Sequence, residues 1–171
     1  IGSTLQMDLA GNSSTATLGR ITGFGGAPNM GSDPHGRRHA SPVWLKAGRE
    51  AYGPKAIRGR KLVVQMVETF REHMAPVFVE ELDAWQLQKM MGAELPPIMI
   101  YGDDVSHIVT EEGIANLLLC RSPEEREQAI RGVAGFTPVG MARDKAMVEN
   151  LRDRGIICRA EDLGIDPRMA T

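Results

Sequence analysis

The sequence predicts an α/β fold, a layered structure with a mostly parallel sheet and flanking helices, in a single domain over residues 1–171. Short β-branched apolar runs alternate with segments of helical composition. Glycine and proline fall between these segments without a period, and no internal repeat is visible. The length suits one hydrophobic core, since domains commonly hold ~100–150 residues.

The first element is a strand over Ser3–Leu9, where Leu5, Met7 and Leu9 alternate with Thr4, Gln6 and Asp8. Its apolar face is expected to be buried, with Gln6 and Asp8 sharing the other. From Gly11 to Pro42 the density of Gly, Ser, Asn and Pro is too high for a regular helix, and a loop of that length in a compact domain is usually functional or partly disordered. Lys61–Phe70 supplies a run suited to a buried strand, and Ala75–Leu82 begins with a second, its neighbour in one sheet. Asp83–Met91 favours a helix that Gly92 and the following Pro96-Pro97 end, and Pro97–Gly102 is a third strand.

Ser106–Val109 reads as a strand followed by a helix that Thr110 caps, with Glu111 and Glu112 at its positive end. Ser122, Pro123, Glu124 and Glu125 form another helix start, closed by Gly132 to Gly135. A last helix spans about Arg143 to Arg154, with Met147, Val148 and Leu151 on one stripe and Gly155 as its stop. The tail after Ile157 is expected to be peripheral.

With 42% apolar and 25% charged residues and a net charge of -2, the composition gives no sign of nucleic-acid attraction. No apolar run approaches the ~20 residues of a membrane span. Cys120 and Cys158 have no metal-ligand spacing and read as buried thiols in a reducing cytoplasm. The chain opens on Ile1, without initiator methionine or leader pattern, and enters directly into alternating residues, so it reads as part of a longer subunit.

Among residues that could carry chemistry, the cluster Thr22–Gly26 (TGFGG) can bring backbone N–H groups against an oxygen, as an oxyanion hole requires. Gly26-Ala27-Pro28 breaks the dinucleotide-binding pattern. His35, Arg37, Arg38 and His39 could clamp a carboxylate or phosphate, or form a solvated loop or a subunit contact, and Arg20 is an equal candidate. Pro34 and Gly36 argue against a metal held by the two histidines. A helix N-terminus explains Glu111 and Glu112 without catalysis, and Asp103-Asp104 reads as a turn, so no metal is assigned.

Gln6–Asn12 (QMDLAGN), then TGFGG, then Ser106–Leu117 (SHIVTEEGIANL) stand in the order and approximate spacing of the second half of acetate-type coenzyme-A transferases. Their E-V-D-L-x-G-Q strand, S-G-x-G-G loop and V-V-T-E-x-G-x-A segment are followed by an E-R pair, which falls here at Glu125-Arg126. Gly23–Pro42 (GFGGAPNMGSDPHGRRHASP) narrows the match: nearly the whole chain resembles the C-terminal part of malonate decarboxylase alpha subunits.

That resemblance implies a coenzyme-A-transferase-like fold and a transferase that exchanges acetate for malonate on a carrier-protein thiol. The implied partners are the acyl-carrier-protein subunit and the decarboxylase subunits, with membrane association only through them. No cofactor is bound by this chain, because the phosphopantetheine-type, dephospho-CoA-derived group sits on the carrier protein. A citrate-lyase-like alpha subunit and a noncatalytic docking half are the alternatives.

Where the general transferases place a nucleophilic glutamate, this chain has Gln6. An amide is a poor nucleophile, so a direct route through an acetyl-malonyl anhydride is expected. Gln6, Gly25 and Gly26 then supply donors to the oxyanion. Gly23, Phe24, Asn29, Arg20, Arg37 and Arg38 are the expected substrate contacts. Asp8 is expected to be structural.

Overall fold

The structure is a computed structural model that describes residues 1–23, 42–55 and 62–164. In chain order its elements are β1 (Gln6–Met7), β2 (Ser13–Ser14), α1 (Pro42–Tyr52), β3 (Val64–Met66), β4 (Phe70–Arg71), β5 (Ala75–Pro76) and α2 (Asp83–Met91). They continue with β6 (His107–Thr110), β7 (Gly113–Asn116), α3 (Pro123–Val133), α4 (Pro138–Met141), α5 (Lys145–Asp153) and β8 (Ile157–Cys158).

The expected layers of sheet and flanking helix are present, but the main sheet is mixed and not mostly parallel. Its order is β3-β6-β7-β8, with β3 and β6 parallel and the two remaining pairs antiparallel. The reason lies at Thr110–Gly113, which pair across a two-residue turn at Glu111 and Glu112. A chain that reverses there makes a hairpin, so the expected helix after Thr110 does not form. Gly113 takes φ 150, and a Cβ there would stand 2.6 Å from the Cys158 carbonyl oxygen. The Thr110 hydroxyl instead donates to the Val133 carbonyl at 2.8 Å, tying the hairpin to α3.

One face of this sheet buries Ile108, Ala115 and Ile157 against Ala129, Ile130 and Val133 of α3 and Leu151 of α5. Gly132 lets α3 lie close, because a Cβ would meet the Ile157 Cδ1 at 2.5 Å. The helix starts are those the sequence expects at Ser122, whose hydroxyl accepts from the Glu125 N–H, and α5 gains a cap from Asp144. Gly92 and Gly155 take positive φ at the ends of α2 and α5. Helices α1 and α4 were not anticipated.

The strand expected over Ser3–Leu9 is reduced to β1, and both of its faces are buried: Met7 is inaccessible while Gln6 and Asp8 are each 6% exposed. Lys61–Phe70 is not one strand, since β3 joins the main sheet and β4 turns back on β5 in a separate ribbon. The ribbon closes through His73 and Met74, both at positive φ, with the Ala75 N–H donating to the Glu72 carbonyl. Pro97–Gly102 makes one bridge, from Ile100 to Ser13, and its last residue already opens the turn Gly102–Asp104. Ile157 is buried in the sheet's last strand, and after it the described chain passes from half-buried Cys158 to exposed residues from Glu161 on, peripheral as expected apart from the pairing of Cys158. Cys120 and Cys158 are free thiols, half-buried where full burial was expected.

Candidate active site

Strand β1 is fixed from both sides, which is what places Gln6. The Leu5 N–H donates to the Ser14 carbonyl, while the Met7 N–H donates to the Val77 carbonyl and the Val79 N–H to the Met7 carbonyl. Gln6 points away from the Met7 side and is buried. Its Oε1 accepts the Asp83 N–H at 3.0 Å. Asp83 is the first residue of α2, preceded by Leu82, which offers no side-chain cap. Gln6 therefore satisfies a helix donor that has no partner within the helix. A backbone N–H requires an oxygen opposite it, so this bond also sets the amide: Oε1 faces α2, which leaves Nε2 as the donor.

Asp8 is the anchor of the loop that follows, the structural role expected of it. Its Oδ1 accepts from the Ala10 and Asn12 N–H groups at 3.0 and 2.9 Å, and its Oδ2 from the Asn12 side-chain amide at 3.0 Å. Burial pushes its carboxyl above the ordinary aspartate range, and these bonds offset only part of that push. Asn12 in turn accepts the Gly102 N–H at 2.9 Å. Gly102 has no room for a side chain, since a Cβ would sit 1.9 Å from the Ala10 carbonyl oxygen.

The E-R pair of the sequence reinforces the same place. Arg126 donates to the carbonyls of Gly102 and Val105, pinning the turn Gly102–Asp104 against α3. Glu125 accepts from Arg154 at 2.6 Å and from the Arg121 N–H at 2.8 Å. These bonds, Arg154 first, hold the Glu125 carboxyl down at about 2. Glu111 accepts the Thr69 N–H at 3.1 Å and the Thr69 hydroxyl, so it caps the start of the β4–β5 ribbon and not a helix. Burial pushes the Cys120 thiol above the ordinary cysteine value.

Residues 15–22 form a small hairpin, with Ala16 bridged to Ile21 and the Thr22 N–H donating to the Thr15 carbonyl at 2.9 Å. Its turn, Thr17 to Arg20, is closed by Thr17 and Arg20 bonding each other. The Leu18 N–H at its tip donates to the Asp83 Oδ2 at 3.0 Å. The returning arm leads into Gly23, whose carbonyl accepts from the Thr15 hydroxyl at 3.4 Å. Gln6 and the hairpin carrying Arg20 and Gly23 are thus joined at the start of α2. Phe24, Gly25, Gly26, Asn29, Arg37 and Arg38, with His35 and His39, lie outside the described residues.

Arg20 pairs with Glu72 at 3.4 Å. It lines a cavity of about 700 Å³ shared with Ser3, Arg71, Glu68 and Glu111. Among the described lining residues carboxylates outnumber guanidiniums, and the Arg71 Nε donates to the Leu5 carbonyl at 3.1 Å. That balance does not suit a dianion. Asp83 was missed as a site residue, and only its place at a helix start could have drawn attention to it.

The family model described as malonate decarboxylase, alpha subunit, transporter matches residues 1–171. An acetyl-S-ACP:malonate ACP transferase from Malonomonas rubra is 58% identical over 97% of this chain and 31% of its own length. The alpha subunit of a malonate decarboxylase from Acinetobacter baumannii superposes with a TM-score of 0.82 at 53% identity, over 99% of this chain and 32% of that one. A Pseudomonas malonate decarboxylase hetero-tetramer in complex with malonate contains a chain that matches with a TM-score of 0.81 at 53% identity, over 99% of this chain and 31% of that one. The chain thus spans about a third of the length of the relatives it matches.

Proposed function

The chain belongs to the family of malonate decarboxylase alpha subunits, and on that footing we propose that it carries the acyl-transfer centre of an enzyme converting acetyl-carrier protein and malonate to malonyl-carrier protein and acetate. The observation that carries this reading is the hydrogen bond from the Asp83 N–H to the Gln6 Oε1. It turns the amide so that Nε2 is presented as a donor, and an oxyanion is what a fixed donor serves best.

The route is direct. A malonate carboxylate oxygen attacks the acetyl thioester carbon, a tetrahedral oxyanion forms, and the C–S bond breaks to release the thiolate. The thiolate then attacks the malonyl carbonyl of the acetyl-malonyl anhydride, and acetate leaves with its C–O electron pair. No proton need be gained or lost overall. Gln6 Nε2 stabilises both oxyanions together with the backbone N–H groups of Gly25 and Gly26. Gly23, Phe24 and Asn29 border the acyl group, and Arg37 and Arg38 hold the second carboxylate of malonate. Arg20 is a weaker contact for malonate, because Glu72 at the turn of the β4–β5 ribbon already pairs with it.

The thiol belongs to a phosphopantetheine-type, dephospho-CoA-derived group on an acyl-carrier-protein subunit, and decarboxylase subunits take the malonyl product. The working compartment is the cytoplasm, which free cysteines suit. No helix among the described residues is long and apolar enough to cross a membrane. A second reading draws on the same hydrogen bond: a glutamine that caps a helix can be a purely structural link, leaving this region to dock the carrier protein while chemistry lies elsewhere.

Intact-mass measurement separates the two. Full-length subunit, acetyl-carrier protein and malonate are mixed without the decarboxylating subunits, and malonyl-thioester is expected to accumulate. Unchanged acetyl-thioester with a folded subunit would favour the docking reading.

A further inference from the structure

Two candidates for the acyl-transfer centre, Gln6 and the hairpin leading to Gly23, come from separate stretches of chain, and one residue touches both. Asp83 offers its backbone N–H to the Gln6 Oε1 and its carboxylate Oδ2 to the Leu18 N–H, each at 3.0 Å. Leu82 gives α2 no side-chain cap, and the Leu18 N–H at the tip of the turn has Asp83 as its partner among the described residues, while Thr17 and Arg20 bond each other.

From this geometry we infer that Asp83 is a positioning residue for acyl transfer: it fixes the Gln6 amide through its main chain and the Gly23 hairpin through its side chain, holding the two at one spacing. This rests on the transferase reading above. An acid in the first turn of a helix has an ordinary explanation in the helix dipole. The dipole does not direct Oδ2 onto a distant backbone N–H, however, and the bond to Leu18 crosses 65 residues of sequence. The charge-assisted bond makes the turn an extension of α2. An oxyanion donor loses its effect when the acyl group shifts against it by a small displacement, so loosening the hairpin, which in that reading borders the acyl group at Gly23, slows the chemical step while leaving malonate affinity nearly intact.

The test is a double-mutant cycle in the full-length protein with Asp83→Ala and Leu18→Pro, plus Asp83→Asn as the conservative variant. Leu18→Pro removes the donor at the second position of a turn, where proline is well tolerated. Each single change is expected to lower kcat on the order of tenfold with the malonate KM held within about twofold. The double variant should be no slower than either single, because both remove one contact. Asp83→Asn, whose Oδ1 can accept the same bond, should stay within about threefold of wild type. A kcat in Asp83→Ala equal to wild type, or losses that multiply in the double variant, would overturn the assignment.

Amide exchange of residues 15–23 keeps this separate from the transferase reading. If the wild type transfers no acyl group, that reading falls. Asp83 is then judged by exchange alone: faster exchange in both singles and no further gain in the double supports the clamp, and wild-type exchange in Asp83→Ala removes it.

Discussion

Around α3 the chain is held by apolar burial: Ile108, Ala115, Ala129, Ile130, Val133, Leu151 and Ile157 all lie inaccessible between sheet and helices. Around β1 the buried side chains include Gln6, Asp8, Ser13, Ser14, Thr17 and Gln65, and their cohesion is hydrogen bonding. Apolar packing is non-directional and sums over many contacts, so it fixes stability more than exact orientation. A polar network fixes direction, and each partner removed leaves another stranded. The region proposed to carry the chemistry is thus the one richer in directed bonds, and through Met7, Phe78 and Ile100 it shares the apolar core of the layer around α3.

The largest effect should come from the apolar layer. Ile130→Ala removes a fully buried side chain from α3 and is expected to cost about 3 kcal/mol in urea unfolding. A loss near that of a surface change would mean the sheet–helix layer is not where stability resides. Asn12→Ala strands both the Gly102 N–H and one Asp8 oxygen, and should cost about 2 kcal/mol despite deleting few atoms. If it is neutral, the polar region is held by something other than its hydrogen bonds. Met74→Gly should go the other way, raising stability by about 1 kcal/mol, because Met74 at φ 58 occupies a turn position that glycine adopts without strain.

The smallest effect is a pair of opposite pH dependences. Glu125, held at about 2, has a folded value below its unfolded one, ~4.3. Its contribution is present above that unfolded value and is lost as pH falls from ~4 toward 2. Asp8, raised by burial, runs in reverse: its contribution is full below the ordinary aspartate value and is lost as pH rises through its folded value. Melting temperatures measured from pH 2 to 7 should therefore fall less steeply on the acid side in Glu125→Gln. A steeper acid limb in that variant would contradict the assignment.

What could be read from the sequence follows the same division. Helices α2, α3 and α5 were legible because their signals are local: Gly92, Ser122 with Pro123, and Gly155 each act within a turn of the helix they bound. The helix wrongly expected after Thr110 had equally good local signals. It lost to cross-strand pairing with Cys158 and Ile157, partners far along the chain. Gln6 and Gly23 were legible as candidates, yet the bond that orients Gln6 spans 77 residues, and the contact of Glu111 with Thr69 spans 42. No periodicity or spacing encodes such pairs. The mostly parallel sheet was misjudged for the same reason, since a two-residue reversal at Glu111 and Glu112 carries no Asn-Gly or Asp-Gly signature.

The central claim is that Gln6 acts as an oriented donor and not as a nucleophile or a passive cap. Single-turnover transfer from acetyl-carrier protein to malonate by the full-length Gln6→Ala protein tests it most directly, with folding verified by its melting temperature. A loss of roughly 100-fold is expected, the scale of removing one oxyanion donor. A rate equal to wild type would contradict the claim and leave Gln6 as a structural link between β1 and α2.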